Sequence, residues 1–290
     1  MPKLSVILVN YNTAHIIERC LNNLLGLYEN MEVIVVDNGS MDGSGDLIKS
    51  KYPQVILIES TNKGLSAGSN FGLEKATGDY ILFLGTDAFP EERTLEGMVG
   101  YFEKNPTVGI ATCKLLLRTG ELDMDAHRGF PTPWAALTHF TRLNRFFPKS
   151  KIFNQYFLGY QDINVPHEID LCISHFMFVR KKVFDQIGKW DEDYFVYGDD
   201  VDICYRAKQA GWKIMYLPQW KALHYKGVSV GIRSESKDIT KTDPATKKRM
   251  KRSSTDAMRI FYTKHYIGKY PKLVTSIVLS GIEFLSKIRS

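Results

Sequence analysis

LSVILVN, at Leu4–Asn10, is almost wholly apolar and rich in β-branched residues. Such a run, without alternation, predicts a parallel strand buried on both faces. In TAHIIERCLNNLLGL the apolar positions then fall at helical spacing, with Thr13 placed to cap the helix. MEVIVVDNGS reads as a second strand ending in an acid and a turn, GDLIKSKY as a short helix and QVILIES as a third strand. LSAGSNFGLEKA reads as a helix of small residues, and DYILFLGTD as a fourth strand. Strand–helix alternation over the first 87 residues predicts an α/β fold, a Rossmann-like, mostly parallel sheet flanked by helices. Ligands of such sheets bind beyond the carboxyl ends of the strands. The polar residues there are Asn10-Tyr11-Asn12, Asp37-Asn38-Gly39-Ser40, Asn62-Lys63-Gly64 and Gly85-Thr86-Asp87. Turn chemistry accounts for any one of them, whereas all four on one rim point to a binding site.

The second half is less regular. From Lys114 to His167 the chain is rich in aromatic and basic residues, as in HRGFPTPWAALTHFTRLNRFFPKS, and is expected to form a lid or binding surface. IDLCISHFMFVRKKVFDQIG predicts a strand over Ile169–Val179 and a helix ending near Gly188. KWDEDYFVYGDDVDICYRAKQAGW begins as a loop and becomes a helix, capped by Asp199 or its neighbour and stopped at Gly211. Acids in its first turn and Arg206 and Lys208 further on suit the helix dipole. Three of those acids, Asp199, Asp200 and Asp202, crowd into four positions, and Asp202 is spaced to pair with Arg206. KIMYLP is a further strand, followed by WKALHYKG.

Composition narrows the classes. The chain has 290 residues, 44% hydrophobic and 24% charged, which suits one large α/β domain or a domain with an appended tail. Its four cysteines lack CxxC spacing, so neither a disulfide framework nor a zinc site is expected, and a reducing compartment is. The first apolar run, about six residues, is too short for a secretory leader. The turn after the first strand, VNYNTAH, has no GxGxxG, which argues against dinucleotide binding, and no GxxxxGK[ST] argues for a P-loop kinase. The net charge of +6 is uneven: residues 231–290 hold 14 Lys/Arg against 5 Asp/Glu, while the first 230 hold 24 against 27. No recognisable nucleic-acid motif accompanies the basic tail, so nucleic acid is not expected as a partner. The closing KLVTSIVLSGIEFLSKIRS has an apolar stretch of about 14 residues, short of the roughly 20 that span a bilayer. With KKRMKR at Lys247–Arg252 it reads either as an amphipathic helix at a membrane interface or as a helix packed on the body or on a second subunit.

Taken together and in order, SVILVNYN, VIVVDNGSMDGS, NKGLSAGSNFG, GDYILFLGTDAFP, GKWDEDYFVYGDDVDICYRAKQAGW and LHYKGVS resemble the family 2 glycosyltransferases, in their bacterial rhamnosyltransferase-like branch. The resemblance spans most of residues 4–230. It implies the A-type glycosyltransferase fold and inverting transfer from a nucleotide-diphosphate sugar, dTDP-rhamnose or a UDP-sugar, with Mg²⁺ or Mn²⁺. The implied acceptor is a growing cell-surface polysaccharide or lipid-linked glycan at the cytoplasmic face of the plasma membrane. Residues 1–112 would then bind the donor and 113–230 the acceptor, with 231–290 a basic helical region for membrane contact or a homodimer.

Residue by residue, the resemblance places Val9, Tyr11, Asp37, Asn62, Gly64, Asn70 and Thr86 around the donor, and Asp87 and His224 at the metal and diphosphate. Hard cations prefer carboxylate oxygens and Mn²⁺ also accepts imidazole, which suits that pair. The family's base, the second acid of its ED pair, corresponds to Asp200, with Asp199 orienting. Asp191 would face the acceptor; Trp190 either stacks on a sugar or belongs to the core. One departure stands out: Gly85 takes the place of the first Asp or Asn of the metal motif. It motivates an alternative, a non-catalytic sugar-nucleotide-binding or assembly subunit on the same fold.

Overall fold

The computed structural model describes residues 1–228 and 244–289. Four parallel strands, β1 (Leu4–Asn10), β2 (Met31–Asp37), β3 (Ile56–Glu59) and β4 (Tyr80–Leu84), lie in the order β3-β2-β1-β4. The helices α1 (Ala14–Leu24), α2 (Ser44–Lys51) and α3 (Leu65–Lys75) connect them. Register pairs Asn10 with Asp37 and Asp37 with Glu59, so the strands end level and their turns share one rim. Successive residues of a strand face opposite sides. Leu4, Val6 and Leu8 enter the core shared with α1 and α4 (Thr94–Lys104), while Ile7, Ile34 and Phe83 enter the core under α7 (Lys181–Ile187) and α8 (Asp199–Gln209).

Beyond β4 the sheet turns antiparallel. β4 pairs with β8 (Phe176–Arg180), which pairs with β6 (Val108–Leu117); β6 runs parallel to β9 (Lys213–His224). The short strands β5 (Ala88–Pro90) and β7 (His167–Glu168) pair with the far and near halves of β9. Several expectations change here. The strand expected over 169–179 begins only at Phe176; Ile169 and Leu171 are buried, but in a loop. The strand seen in KIMYLP continues to His224 across a register shift, Cys113↔Leu217 to Lys114↔Lys221, where Pro218 has no N–H to give. The aromatic middle contains the end of β6, a 3-10 turn at Met124–Ala126, α5 (Pro133–Phe140) and α6 (Leu143–Phe146).

Two caps also differ. The Thr13 hydroxyl bonds Asn10 Oδ1, and Asp42 Oδ2 instead accepts from Ala14 N at 2.7 Å. The cap of α8 is Gly198, at φ +76°, so Asp199 is already helical. In the tail, α9 (Pro244–His265) packs on α8, and α10 (Lys272–Arg289) packs on α9. Tyr194, Tyr205, Phe261, Tyr262, Tyr266 and Ile282 form the apolar cluster between them. Thus α9 docks on the body, whereas α10 leaves Leu273, Ile277, Phe284 and Ile288 exposed. Among the described residues, no helix is long and apolar enough to cross a membrane. The expected boundary at 230/231, and Ser229 of LHYKGVS, lie outside the described residues.

Candidate active site

The rim of the parallel half is a hydrogen-bonded ring. Asn10 Nδ2 donates to Asp37 Oδ1 at 2.9 Å and to Ser44 Oγ at 2.8 Å, and the Ser40 hydroxyl also bonds Asp37. Asn38 Nδ2 donates to the Gly64 carbonyl at 3.0 Å, and Asn62 Oδ1 accepts from Gly64 N at 3.2 Å. These bonds join the turns after β1, β2 and β3. Gly64, at φ +102°, lies so close to the loop before α8 that a Cβ would stand 2.5 Å from the Phe195 carbonyl. That carbonyl accepts from Leu65 N at 2.7 Å and closes one side of the rim. Val9 is half-buried beside the ring, Tyr11 is exposed, and Thr86 is buried at the end of β4.

A second group forms where the antiparallel strands meet β4. Asp87 precedes β5, whose Ala88 pairs with His224 at the end of β9. Asp87 Oδ1 and His224 Nε2 are 3.7 Å apart, and both side chains are buried. His175 sits one residue before β8; its carbonyl accepts from Gly85 N at 3.0 Å, and its Nε2 is 4.0 Å from Asp87 Oδ1. One donor atom from each of Asp87, His175 and His224 lies within 4.8 Å of the others. His224 Nδ1 donates to Asp123 Oδ2 at 2.8 Å, which fixes the tautomer and turns an Nε2 lone pair toward Asp87. Nε2 is buried and has no hydrogen-bond partner among the described residues. Burial pushes the Asp123 pKa up, but His224 and Lys226 more than offset it and hold it below the usual carboxylate range. Burial, then the neighbouring His224, lowers the pKa of His175. A carboxylate and two imidazoles, one of them with an orphaned buried nitrogen, fit a divalent cation of the Mn²⁺ kind.

The start of α8 supplies the third group. Asp199, Asp200 and Asp202 are all buried. Arg128, from the loop after the 3-10 turn, donates from Nη2 to Asp200 Oδ2 at 3.2 Å and from Nη1 to the Tyr156 hydroxyl at 3.2 Å. Asp200 Oδ1 accepts from Val201 N at 2.9 Å. Burial raises the Asp200 pKa, with Arg128 the main opposing influence. Burial and then the Asp200 charge raise the pKa of Asp199, whose Oδ2 has no hydrogen-bond partner among the described residues. Both pKa values are thus raised, and of the two only Asp200 has a cation, Arg128, set against its carboxylate.

These features accord with known proteins. The model of glycosyl transferase family 2 matches residues 5–188. The chain belongs to that family. Rhamnosyltransferase WbbL of Escherichia coli is 26% identical over 237 residues, which cover 76% of this chain and 82% of that protein. An N-acetylglucosaminyl-diphospho-decaprenol L-rhamnosyltransferase of Mycobacterium tuberculosis is 26% identical over 244 residues, covering 79% of this chain and 78% of its own. Among solved structures, the mannosyltransferase PcManGT of Pyrobaculum calidifontis, in complex with GDP-Man and Mn²⁺, superposes with a TM-score of 0.58 at 19% identity, covering 98% of this chain and 70% of that one. S. aureus TarS in complex with UDP-GlcNAc gives 0.56 at 17% identity, covering 97% and 71%. The fold is the A-type glycosyltransferase fold.

Within this family 2 chain, some expected residues are placed elsewhere. Trp190 belongs to the core, not to a sugar platform: it is 3% exposed and meets Phe83 edge-on at 4.8 Å. The Asn70 amide is engaged by the Trp190 backbone, accepting from N and donating to O at 3.0 Å each, where a donor contact was expected. Asp191 is engaged by Lys264 of α9 at 2.5 Å, so it anchors the tail where an acceptor contact was expected. Sequence reasoning missed His175, Asp123, Arg128 and His265. Asp123 and Arg128 had a faint signal in the clustered polar residues of LDMDAHR. His175 had none beyond being a lone histidine before an apolar run.

Proposed function

We propose that this glycosyltransferase moves a sugar, with inversion, from a nucleotide-diphosphate donor to a hydroxyl of a cell-surface polysaccharide or its lipid-linked precursor. The carrying observation is the buried Asp87–His224 pair, 3.7 Å apart and held by Asp123, at the end of β4. His175, beside it, lies within electrostatic reach of Asp200. The donor base and ribose lie along Val9, Tyr11, Asp37, Asn62, Gly64 and Thr86. Residues 1–112 form the donor half and 113–230 the acceptor half. dTDP-rhamnose is the first candidate donor, supported by the two rhamnosyltransferase relatives, with UDP-sugars next.

In the transfer, the acceptor oxygen attacks the anomeric carbon while the carbon–oxygen bond to the diphosphate breaks. The hydroxyl proton passes to the Asp200 carboxylate, and the bonding pair leaves on the diphosphate oxygen. Arg128 favours the ionised form of Asp200 before the step. Asp199 orients the acceptor. Asp87 and His224 would hold Mg²⁺ or Mn²⁺, which when bound neutralises charge on the departing diphosphate. The acceptor end is set at the inner face of the plasma membrane. The exposed Leu273, Ile277, Phe284 and Ile288 of α10, with Lys272, Lys287 and Arg289, supply an apolar and basic face for that contact.

The test is a panel of sugar nucleotides with Mn²⁺ and a lipid-linked acceptor, following free nucleoside diphosphate. Asp200→Asn is expected to cut transfer by about 10²–10⁴-fold while donor affinity by calorimetry holds. A full rate in that variant removes Asp200 as the base. Donor binding with neither transfer nor hydrolysis, in the unaltered chain and with every acceptor, favours the binding-subunit alternative that Gly85 motivates.

A further inference from the structure

We propose that His175 is a third metal ligand, that the absence of a side chain at position 85 admits it, and that the resulting set selects Mn²⁺ over Mg²⁺. This rests on reading Asp87 and His224 as the metal site. Gly85 lies two residues before Asp87, at the end of β4. A Cβ built there would stand 2.7 Å from His175 Cδ2 and 2.9 Å from Asp87 Oδ1. A side chain at 85 and the imidazole at 175 therefore compete for one space. Backbone geometry makes that competition direct. Leu84 pairs with Phe176 across the strands, and Gly85 N donates to the His175 carbonyl at 3.0 Å. The two residues face each other just past the paired strand ends.

The ring fills the space at a place where it can ligate. Its centroid is 4.8 Å from that of His224, and its Nε2 is 4.0 Å from Asp87 Oδ1. Metal–nitrogen and metal–oxygen bonds are about 2.0–2.2 Å, so a small closure brings all three donor atoms onto one ion. A side chain lost at 85 is thus replaced from the neighbouring strand, with nitrogen as the donor.

That exchange has a chemical consequence. Mg²⁺ requires oxygen ligands in a near-ideal octahedron and keeps its waters, whereas imidazole suits the transition metals. Two imidazoles and one carboxylate favour Mn²⁺, and a single imidazole favours it less. Position 175 therefore sets metal choice, and position 85 decides whether 175 can act.

The experiment measures metal binding, with MnCl₂ or MgCl₂ titrated in the presence of UDP. Pulsed EPR of the Mn²⁺ complex is expected to show two imidazole nitrogens in the unaltered chain and one in His175→Ala and His175→Gln. Mn²⁺ affinity should fall about 10–100-fold in those variants, judged from ligand-sphere changes elsewhere, and Mg²⁺ affinity by much less. Gly85→Ala, which crowds the ring out and also presses on Asp87 Oδ1, should lose at least a similar factor. Combined with His175→Ala it should lose less than the sum of the two, since both remove the His175 contact and only the crowding of Asp87 is added. A single nitrogen in the unaltered chain, or an unchanged Mn²⁺/Mg²⁺ ratio in folded His175→Gln, overturns this inference and leaves the Asp87–His224 site standing. No Mn²⁺ binding at all refutes both.

Discussion

Asp202 stands two residues from Asp200, yet its surroundings assign it to architecture. Its side chain is 1% exposed, and it accepts from Arg206 Nε and from His265 Nε2, each at 2.7 Å. Burial opposes its ionisation, but His265 and Arg206 more than offset this and hold its pKa below the usual range. Asp202→Asn keeps the shape and removes the charge. Breaking a buried ion pair from one side costs about 3–5 kcal/mol, because the other charge stays behind. Arg206 is 23% exposed and keeps the Ile187 and Lys189 carbonyls as partners, so the lower end, about 3 kcal/mol, applies. At roughly 2–4 °C per kcal/mol for a large domain, Tm is expected to fall by about 6–12 °C. The assay is thermal unfolding by circular dichroism at neutral pH, with transfer rates measured well below both transitions. His265→Gln should also lower Tm, and the double variant should lose less than the sum. An unchanged Tm, or a transfer rate lost while the variant is folded, would refute the assignment.

Three further outcomes follow from buried partners. Arg128→Met removes the cation that opposes burial at Asp200, so the pKa of Asp200 rises and the acid limb of kcat/KM moves to higher pH; an unmoved limb in a folded variant places the base elsewhere. Asp123→Asn loses the charged acceptor that orients His224, and Mn²⁺ affinity by calorimetry is expected to fall about 10–100-fold; undiminished affinity would show that His224 needs no such anchor. At Glu32 burial pushes the pKa up, but Lys3, Ser5 and Thr77 pull it down to about 2. Its unfolded value is about 4.3, so its contribution to stability is full above that value and is lost as pH falls toward the folded one. Glu32→Gln should lower Tm at neutral pH, with the difference closing in acid; a constant difference would trace the loss to shape instead of charge.

The parallel, N-terminal half is legible in the sequence because its order is local. β1, β2 and β4 are buried on both faces, and each ends in turn residues that the parallel register brings level. The second half is ordered by distant pairings. Ile169 and Leu171 are apolar because they are buried, and apolarity carries no information on whether the backbone joins a ladder. Pro218 reads as the end of a strand, yet β9 resumes after its irregularity and delivers His224 to Asp87. His224 and Asp123 meet across 101 positions. His175 reaches Gly85 only through antiparallel pairing of β8 with β4, which no local pattern announces. Trp190 is equally compatible with a sugar platform and a core position until Asn70 is seen holding its backbone.

The crowded acids at the start of α8 are tolerable because each is managed differently. Asp200 is paired with Arg128 from the loop after Ala126, and Asp202 with Arg206 and hydrogen-bonded to the tail residue His265. Asp199 has neither cation, and burial beside Asp200 drives it toward the protonated form. Ionisation of all three at once is thereby disfavoured, and the helix N-terminus stabilises whichever carboxylates are charged. α9 supplies His265 to the helix bearing Asp200, and its Arg249 lies 4.1 Å over the ring of Phe195, whose carbonyl closes on Gly64. One helix thus steadies both the start of α8 and the loop that closes on Gly64. Loss of α9 would expose Tyr205 and leave Asp202 with Arg206 alone, so a defect in transfer would follow from displacement of α8.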